Sequence, residues 1–530
     1  MTDSPLTHQR RLVAGDHLRR GLRAPYRAIV AAAGEPHQFR YELTDASASE
    51  RFHPGEALAC IAHLTDLHVT DVQSPARFEF INREYADPRF RELLPMHRPQ
   101  EALNEHAIAA MVRAMNAIGN GPIAGAPIDL AIMSGDAVDN AQWNELATSV
   151  ALLNGGHVRA DSGGERYEGV QSPGWPDDFF WKPDGAVKGV DLMTEGYGFP
   201  HLPGLLERAL LPFESPGLRM PWLACHGNHD EVSQGVGIVT PALAAAMVGF
   251  HKPFGLPDGL DRDAAVEIFV RRPDAFMAGP DLPITPDAHR RPFTRAEFID
   301  VTAGDREDRS LYYVHDTPAI RFVFLDTVCN AGGAEGCIDE DQVRWLERRL
   351  QEVPDRPVVV TSHHTLDTLG NKRRASGSRY IDADELLEVV HGVGNVVLWL
   401  NGHIHANVIR PRLDARENGT GFWEVTTCSI VDWPCQARVV EVFEAGDDLL
   451  AIACTMVDHD GPTDPGGAIE PPALAALHRE LAGNVPIGGF DSGREGTPLD
   501  RNVILPIRRP GQSLRRARQY RIVRRRGKTW

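Results

Sequence analysis

The chain has 530 residues, 42% hydrophobic and 24% charged, enough to bury a large core, which excludes a disordered or low-complexity polymer. Its formal net charge of −18 repels the phosphate backbone and argues against broad nucleic-acid binding, so small substrates fit better. No apolar run approaches the ~18 residues of a membrane helix, and the stretch through Arg27 is polar and broken by charges, so the reading is cytoplasmic with no membrane partner. Seven cysteines, at 60, 225, 329, 337, 428, 435 and 454, cannot all pair; Cys60, Cys225 and Cys454 sit in strand-like runs and read as buried thiols in a reducing compartment. Cys329 and Cys337, like Cys428 and Cys435, lie close together without zinc-site spacing.

Residues 1–55 read as a polar leader, after which a strand at 59–64 delivers Asp66-Leu67-His68. Two residues at i, i+2 leaving an extended strand point the same way, so one metal can take both. A helix is expected at 100–118, where Leu103, Ala107, Met111, Ala114 and Ile118 form one apolar face for packing on a sheet. A strand at 128–133 leads to Gly135-Asp136-Ala137-Val138-Asp139-Asn140, and one at 222–225 to Gly227-Asn228-His229-Asp230.

Long insertions follow both motifs, at about 141–220 and 231–310. Loops of that length are functional or separately packed, and they read as a cap over the substrate; the plainer reading is that Trp175, Phe179, Phe180 and Trp181 form the first insertion's own small core. A strand at 320–325 precedes a helix with Asp339 as its cap and Val343, Leu346 and Leu350 on one face. Strands at 358–361 and 396–400 end in His363-His364 and Gly402-His403-Ile404-His405. Runs at 421–427 and 437–443 would complete the second sheet. The catalytic domain then spans 56–445, followed by an extension at 446–507 packed on the core and a tail at 508–530. That tail holds nine arginines, one lysine and no acid, and reads as solvated, self-docking or in contact with anionic partners.

Length alone suggests two to four domains, but ligands drawn from 66 to 405 must converge on one point and so belong to one domain. Singly, each motif reads equally well as turn chemistry. Together, in order and each behind an apolar strand, they form the layout of a two-metal hydrolase. A carboxylate has two oxygens, so Asp136 can bridge metals roughly 3.5–4 Å apart. Asn228, His363, His403 and His405 add amide oxygen and imidazole nitrogen, which suit Zn, Mn or Fe better than Ca or Mg. Such a pair lowers the pKa of a shared water, making hydroxide the nucleophile, and the leaving oxygen still needs a proton.

These residues resemble the calcineurin-like metallophosphoesterases, whose motifs run DxH, GDxxD, GNHD, a strand-end H and GHxH, and the likeness covers about 60–444. The resemblance implies an α/β, four-layer fold of two stacked mixed β-sheets flanked by helices. It also implies two divalent transition metals, one held by Asp66, His68, Asp136 and His405, the other by Asp136, Asn228, His363 and His403, with His364 outside. It makes His229 the proton donor or phosphate contact and Asp139 the carboxylate that orients it and raises its pKa. Purple acid phosphatases carry a tyrosine ligand where this chain has Asp139, and Ser/Thr protein phosphatases an arginine where it has Asn140, so neither branch is expected. The insertions, with 478–484 and Asp500-Arg501-Asn502, resemble a long bacterial subfamily. The expected function is hydrolysis of a small phosphomonoester or phosphodiester. The alternatives are a cyclic-nucleotide phosphodiesterase, a nuclease of the same fold, disfavoured by the acidic body, and a non-catalytic scaffold, disfavoured because no ligand is missing. Oligomeric state is left open.

Overall fold

Strand Ala57–Leu64 is apolar on both faces because it is covered on both. Cys60, Ala62 and Leu64 point into one buried cluster, Ala59 and Ile61 into another, the period of two that a pleated strand imposes. The same alternation divides Val359 from Val358 and Val360, and Leu398 and Leu400 from Trp399, while a register shift after Val396 turns that residue to the other face. Ile61, Val359 and Leu398 share one cluster, which is therefore the layer between two sheets. The computed structural model describes residues 4–44, 53–304, 306–373, 379–416, 420–446, 448–467 and 469–511; most of the basic tail expected at 508–530 lies outside them.

One sheet runs Gln38–Phe39, Val503–Arg508, Leu449–Asp458, Gln436–Glu444, Ala57–Leu64, Leu130–Met133, Trp222–Ala224. The other runs Tyr313–Asp316, Arg321–Phe324, Val358–Thr361, Val396–Asn401, Gly421–Thr426, Val408–Leu413. Each mixes parallel and antiparallel pairs. Helix Asn104–Ile118 covers the outer face of the first sheet, where Ala107, Met111 and Met115 join Cys60 and Met133. Helices Glu340–Gln351 and Ala383–Val393 cover the second through Leu346, Leu350, Leu386 and Val390. Two stacked mixed sheets flanked by helices, an α/β four-layer sandwich, is the observed architecture. Asp339 caps its helix as expected, accepting from the Gln342 amide at 2.8 Å.

Three expectations change. The strand expected at 437–443 is Gln436–Glu444 and lies in the first sheet, where it pairs with Leu449–Asp458 across a short hairpin and with Ala57–Leu64. The extension at 446–507 does not merely pack on the core: it supplies two strands of that sheet, and helix Pro471–Asn484 beside Asn104–Ile118. The leader at 1–55 contains a hairpin, Arg10–Arg19 with Tyr26–Ala33, whose Leu12 and Ile29 bury against Trp433 and Ala482. Charged residues at its exposed end dilute the alternation that would have marked it. The aromatics of the first insertion form small cores, Trp175 and Phe180 with Val170, and Trp181 with Tyr26, Leu103 and Phe199. All seven cysteines are buried, and among the described residues no helix is long and apolar enough to cross a membrane.

Candidate metal centre

The five motifs leave the carboxyl ends of Ala57–Leu64, Leu130–Met133, Trp222–Ala224, Val358–Thr361 and Val396–Asn401, which are parallel within each sheet, so their loops gather at one edge of the sandwich. Asp66, His68, Asp136, His403 and His405 all sit in the left-handed region, at φ of 51°, 48°, 54°, 67° and 52°. Non-glycine residues there are uncommon and strained, and such strain clusters at functional sites. Asp66 and His68 therefore do not extend their strand, as their i, i+2 spacing suggests; each turns the chain to aim its side chain inward. Close approach requires the neighbouring glycines: a Cβ on Gly402 would stand 2.3 Å from Asp66 Oδ2, and one on Gly227 2.2 Å from Asp136 Oδ1.

The loops bring seven side chains into two groups. In one, His405 Nε2 lies 3.2 Å from His68 Nε2 and 3.3 Å from Asp66 Oδ1. In the other, Asn228 Oδ1 lies 3.0 Å from His363 Nε2 and 3.1 Å from His403 Nδ1. Asp136 Oδ2 lies between them, 3.6 Å from His68 Nε2 and 3.2 Å from His363 Nε2. It is buried and accepts no hydrogen bond, while Oδ1 accepts from the His229 amide at 2.7 Å. A buried carboxylate oxygen without a hydrogen bond is costly unless a charge faces it, and facing imidazole nitrogens are a donor set for a cation. The residues fit two divalent ions sharing Asp136.

A family model described as calcineurin-like phosphoesterase matches residues 191–407, the stretch that supplies Asn228, His363, His403 and His405; the geometry joins Asp66, His68 and Asp136 to them from outside it. That stretch of the chain is similar to the calcineurin-like phosphoesterases. The chain is 30% identical over 99 residues to the glycerophosphodiester phosphodiesterase GpdQ of Enterobacter lignolyticus, covering 19% of this chain and 35% of that protein. It is 24% identical over 111 residues to a probable glycerophosphodiester phosphodiesterase GpdQ of Arcobacter nitrofigilis, covering 21% and 40%. The chain thus spans well under half of these curated relatives. Among solved structures, a dimetal phosphatase from Danio rerio aligns at TM-score 0.35 and 10% identity, over 76% of this chain and all of that one. A purple acid phosphatase, PPD1 of yellow lupin, aligns at 0.28 and 8%, over 80% and 53%. Likeness at this level carries no argument about chemistry.

Outer contacts fix which nitrogen His68, His405 and His363 present. His68 Nδ1 meets Asp139 Oδ1 at 3.0 Å, His405 Nδ1 meets Asp432 Oδ2 at 2.6 Å, and His363 Nδ1 meets the Ser134 carbonyl at 2.9 Å, leaving each Nε2 turned inward. His364, which lies beside His363 and His403, spends its nitrogens on Thr327 Oγ1 at 2.8 Å and the Ala334 carbonyl at 2.9 Å. Asp230 is a brace: its carboxylate accepts from the amides of Gly227, Asp136 and Val138 at 2.8, 3.1 and 3.2 Å. His229 Nδ1 is 3.1 Å from the Asp139 carbonyl and 3.3 Å from its Oδ1. Burial opposes a charge on this imidazole, but the Asp136 and Asp139 carboxylates outweigh it and raise its pKa. Burial likewise opposes charge on Asp139, yet Arg77, 3.0 Å from Oδ2, and the two imidazoles hold it well below the usual carboxylate range. His68, Asp139 and His229 thus form a hydrogen-bonded triad anchored by Arg77.

A cleft of about 150 Å³ opens onto Asp136, Asn228, His229, His403 and His405. Its walls come from 92–95 and Arg98, from Gln234 and Val236, and from Arg494; no residue of 141–220 lines it. The segment at 71–103, between the first motif and its helix, therefore does what was expected of the first insertion. Arg77 fastens it, with Nη1 and Nη2 at 2.8 and 2.9 Å from the Glu101 carboxylate. A larger cavity of about 510 Å³, beside Glu231, Arg295 and Cys329, contains none of the motif residues, and the site is assigned where the metal donors converge. Sequence reasoning missed Arg77, Arg98, Asp432 and Arg494. Only Asp432 left a signal, since it too follows the carboxyl end of a strand, Gly421–Thr426.

Proposed function

We propose that this protein is a dinuclear metal-dependent phosphoesterase that hydrolyses a small phosphorylated molecule. The observation that carries this reading is the buried Asp136 Oδ2, free of hydrogen bonds and flanked by one set of donors on each side. Asp66, His68, Asp136 and His405 would hold one ion, Asp136, Asn228, His363 and His403 the other, with imidazole and amide donors suiting Fe, Mn or Zn. When bound, such ions neutralise charge on the phosphoryl oxygens and lower the pKa of water. The protein's own part is to aim and protonate. His229 lines the cleft with its pKa raised, positioned to give a proton to the departing oxygen, while Asp139 fixes its ring and that of His68 together.

The cleft volume favours a phosphoryl group with a small leaving group over a nucleotide or nucleic acid, since pockets for larger ligands run to about 300 Å³ and more. Glycerol-type diesters are a second reading, supported by the names of the partial relatives. Buried thiols such as Cys60, Cys225 and Cys454 favour the cytoplasm. The test is metal analysis of the purified chain followed by a panel of small phosphomonoesters, diesters, cyclic nucleotides and short DNA. Two ions per chain and turnover of a small ester are expected; a chain that binds no transition metal overturns the reading.

A further inference from the structure

Three cationic or protonated groups converge on one carboxylate at the wall of the cleft. Asp432 is 3% exposed and takes His405 Nδ1 at 2.6 Å, Arg98 Nε at 2.9 Å and Arg494 Nη1 at 2.5 Å. Asp432 is thus shared by two guanidinium groups, with Glu101 and Asp139 the other anions near Arg98. Arg98 makes its one short contact with Asp432 through Nε, and the next acidic oxygen, Glu101 Oε1, is 4.0 Å from its Nη1. Its terminal fork thus has no hydrogen-bond partner among the described residues. The other carboxylate on the cleft wall outside the metal donors, Glu92, is engaged by Arg373 at 3.4 Å. Both arginines line the cleft together with His229, His403 and His405, and His405 spans the distance between their shared carboxylate and the metal donors.

We propose that Arg98 and Arg494, clipped side by side onto Asp432, form a clamp for a terminal, doubly charged phosphoryl group, so that the preferred substrate is a small phosphomonoester. A planar guanidinium presents paired donors that match phosphoryl oxygens. A monoester above its second pKa of ~6 offers two charges and three terminal oxygens, whereas a diester offers one charge and two. Metal ions acting alone can serve either ester; a guanidinium fork beside them, left with donors for a further terminal oxygen, discriminates. Asp432 is the positioning residue, since it holds Arg98 through Nε, Arg494 through Nη1 and the His405 ring at once.

This inference rests on the phosphoesterase reading, and its test separates the two. Metal-loaded full-length protein, Arg98→Ala, Arg98→Lys and Arg494→Gln would be compared at pH 8 for metal content, for binding of inorganic phosphate by calorimetry, and for kcat and KM on nitrophenyl phosphate and bis-nitrophenyl phosphate. Metal content should be unchanged. Arg98→Ala and Arg494→Gln should weaken phosphate about tenfold or more and raise the monoester KM similarly, with the diester KM moving less than about twofold. Arg98→Lys keeps the charge without the fork, so it should fall between. Equal losses on both esters, or phosphate binding unchanged in both variants, would overturn the clamp. If the loaded wild-type protein hydrolyses neither ester, the phosphoesterase reading falls, while the phosphate-binding comparison still decides the clamp.

Discussion

At the scale of single residues, the site depends on a few atoms with no substitute. Asp136 is the one side chain that faces both donor groups, so Asp136→Ala should lose both ions; elemental analysis showing a fully loaded variant would refute the bridge. His229 touches Asp136 through its backbone amide and Asp139 through its ring, and is not among the seven proposed donors. His229→Ala should therefore keep both ions but lose turnover by roughly 10²–10⁴-fold, and the loss should shrink for nitrophenolate, which departs without a proton. Equal losses with good and poor leaving groups would make it a phosphate contact instead. All the residues in these tests could be named from the sequence, because their types and order carry the chemistry. Asp432, Arg98 and Arg494 could not. An aspartate after a strand and two arginines in irregular stretches are ordinary surface composition until long-range contacts bury them together.

At the scale of elements, strand ends set the geometry and glycines permit it. The turn after Val396–Asn401 has to bring its backbone against Asp66, and a methyl on Gly402 would occupy space already held by Thr65 Oγ1 and Asp66 Oδ2, at 2.0 and 2.3 Å. Gly402→Ala should lower the melting temperature, at a cost of about 1–3 kcal/mol of overpacking, and should reduce metal occupancy below that of the parent. Thermal denaturation beside elemental analysis checks both, and a variant with parental melting and full occupancy would show that the turn relaxes freely. The strands themselves were legible, since runs such as 358–361 and 396–400 are aliphatic throughout and a strand covered on both faces needs to be. Their sheet membership was not. Residues 436–444 and 421–426 have the same aliphatic character, and pairing with Ala57–Leu64 and Leu449–Asp458 assigns the former to the first sheet.

At the scale of the whole molecule, the apparent appendages are structural. Leu449–Asp458 and Val503–Arg508 continue the sheet that holds Asp66 and Asp136, and Leu450, Ile452 and Leu505 fill the layer between the sheets. A chain ending at Ala445 would expose that layer, so it should give no cooperative unfolding transition by calorimetry; a sharp melt with two bound ions would show that the extension is dispensable. The sequence by itself determined the candidate donors, the strand that delivers each of them and the broad class of chemistry, because residue identity and a period of two are local properties. The tertiary structure alone decided which segment walls the cleft, which charges stand beside the donors, and that both ends of the described chain belong to the first sheet. Those depend on pairing between residues hundreds of positions apart, such as Arg98 with Asp432 and Gln38 with Val503, and no local pattern records which distant partner a strand or a guanidinium will meet.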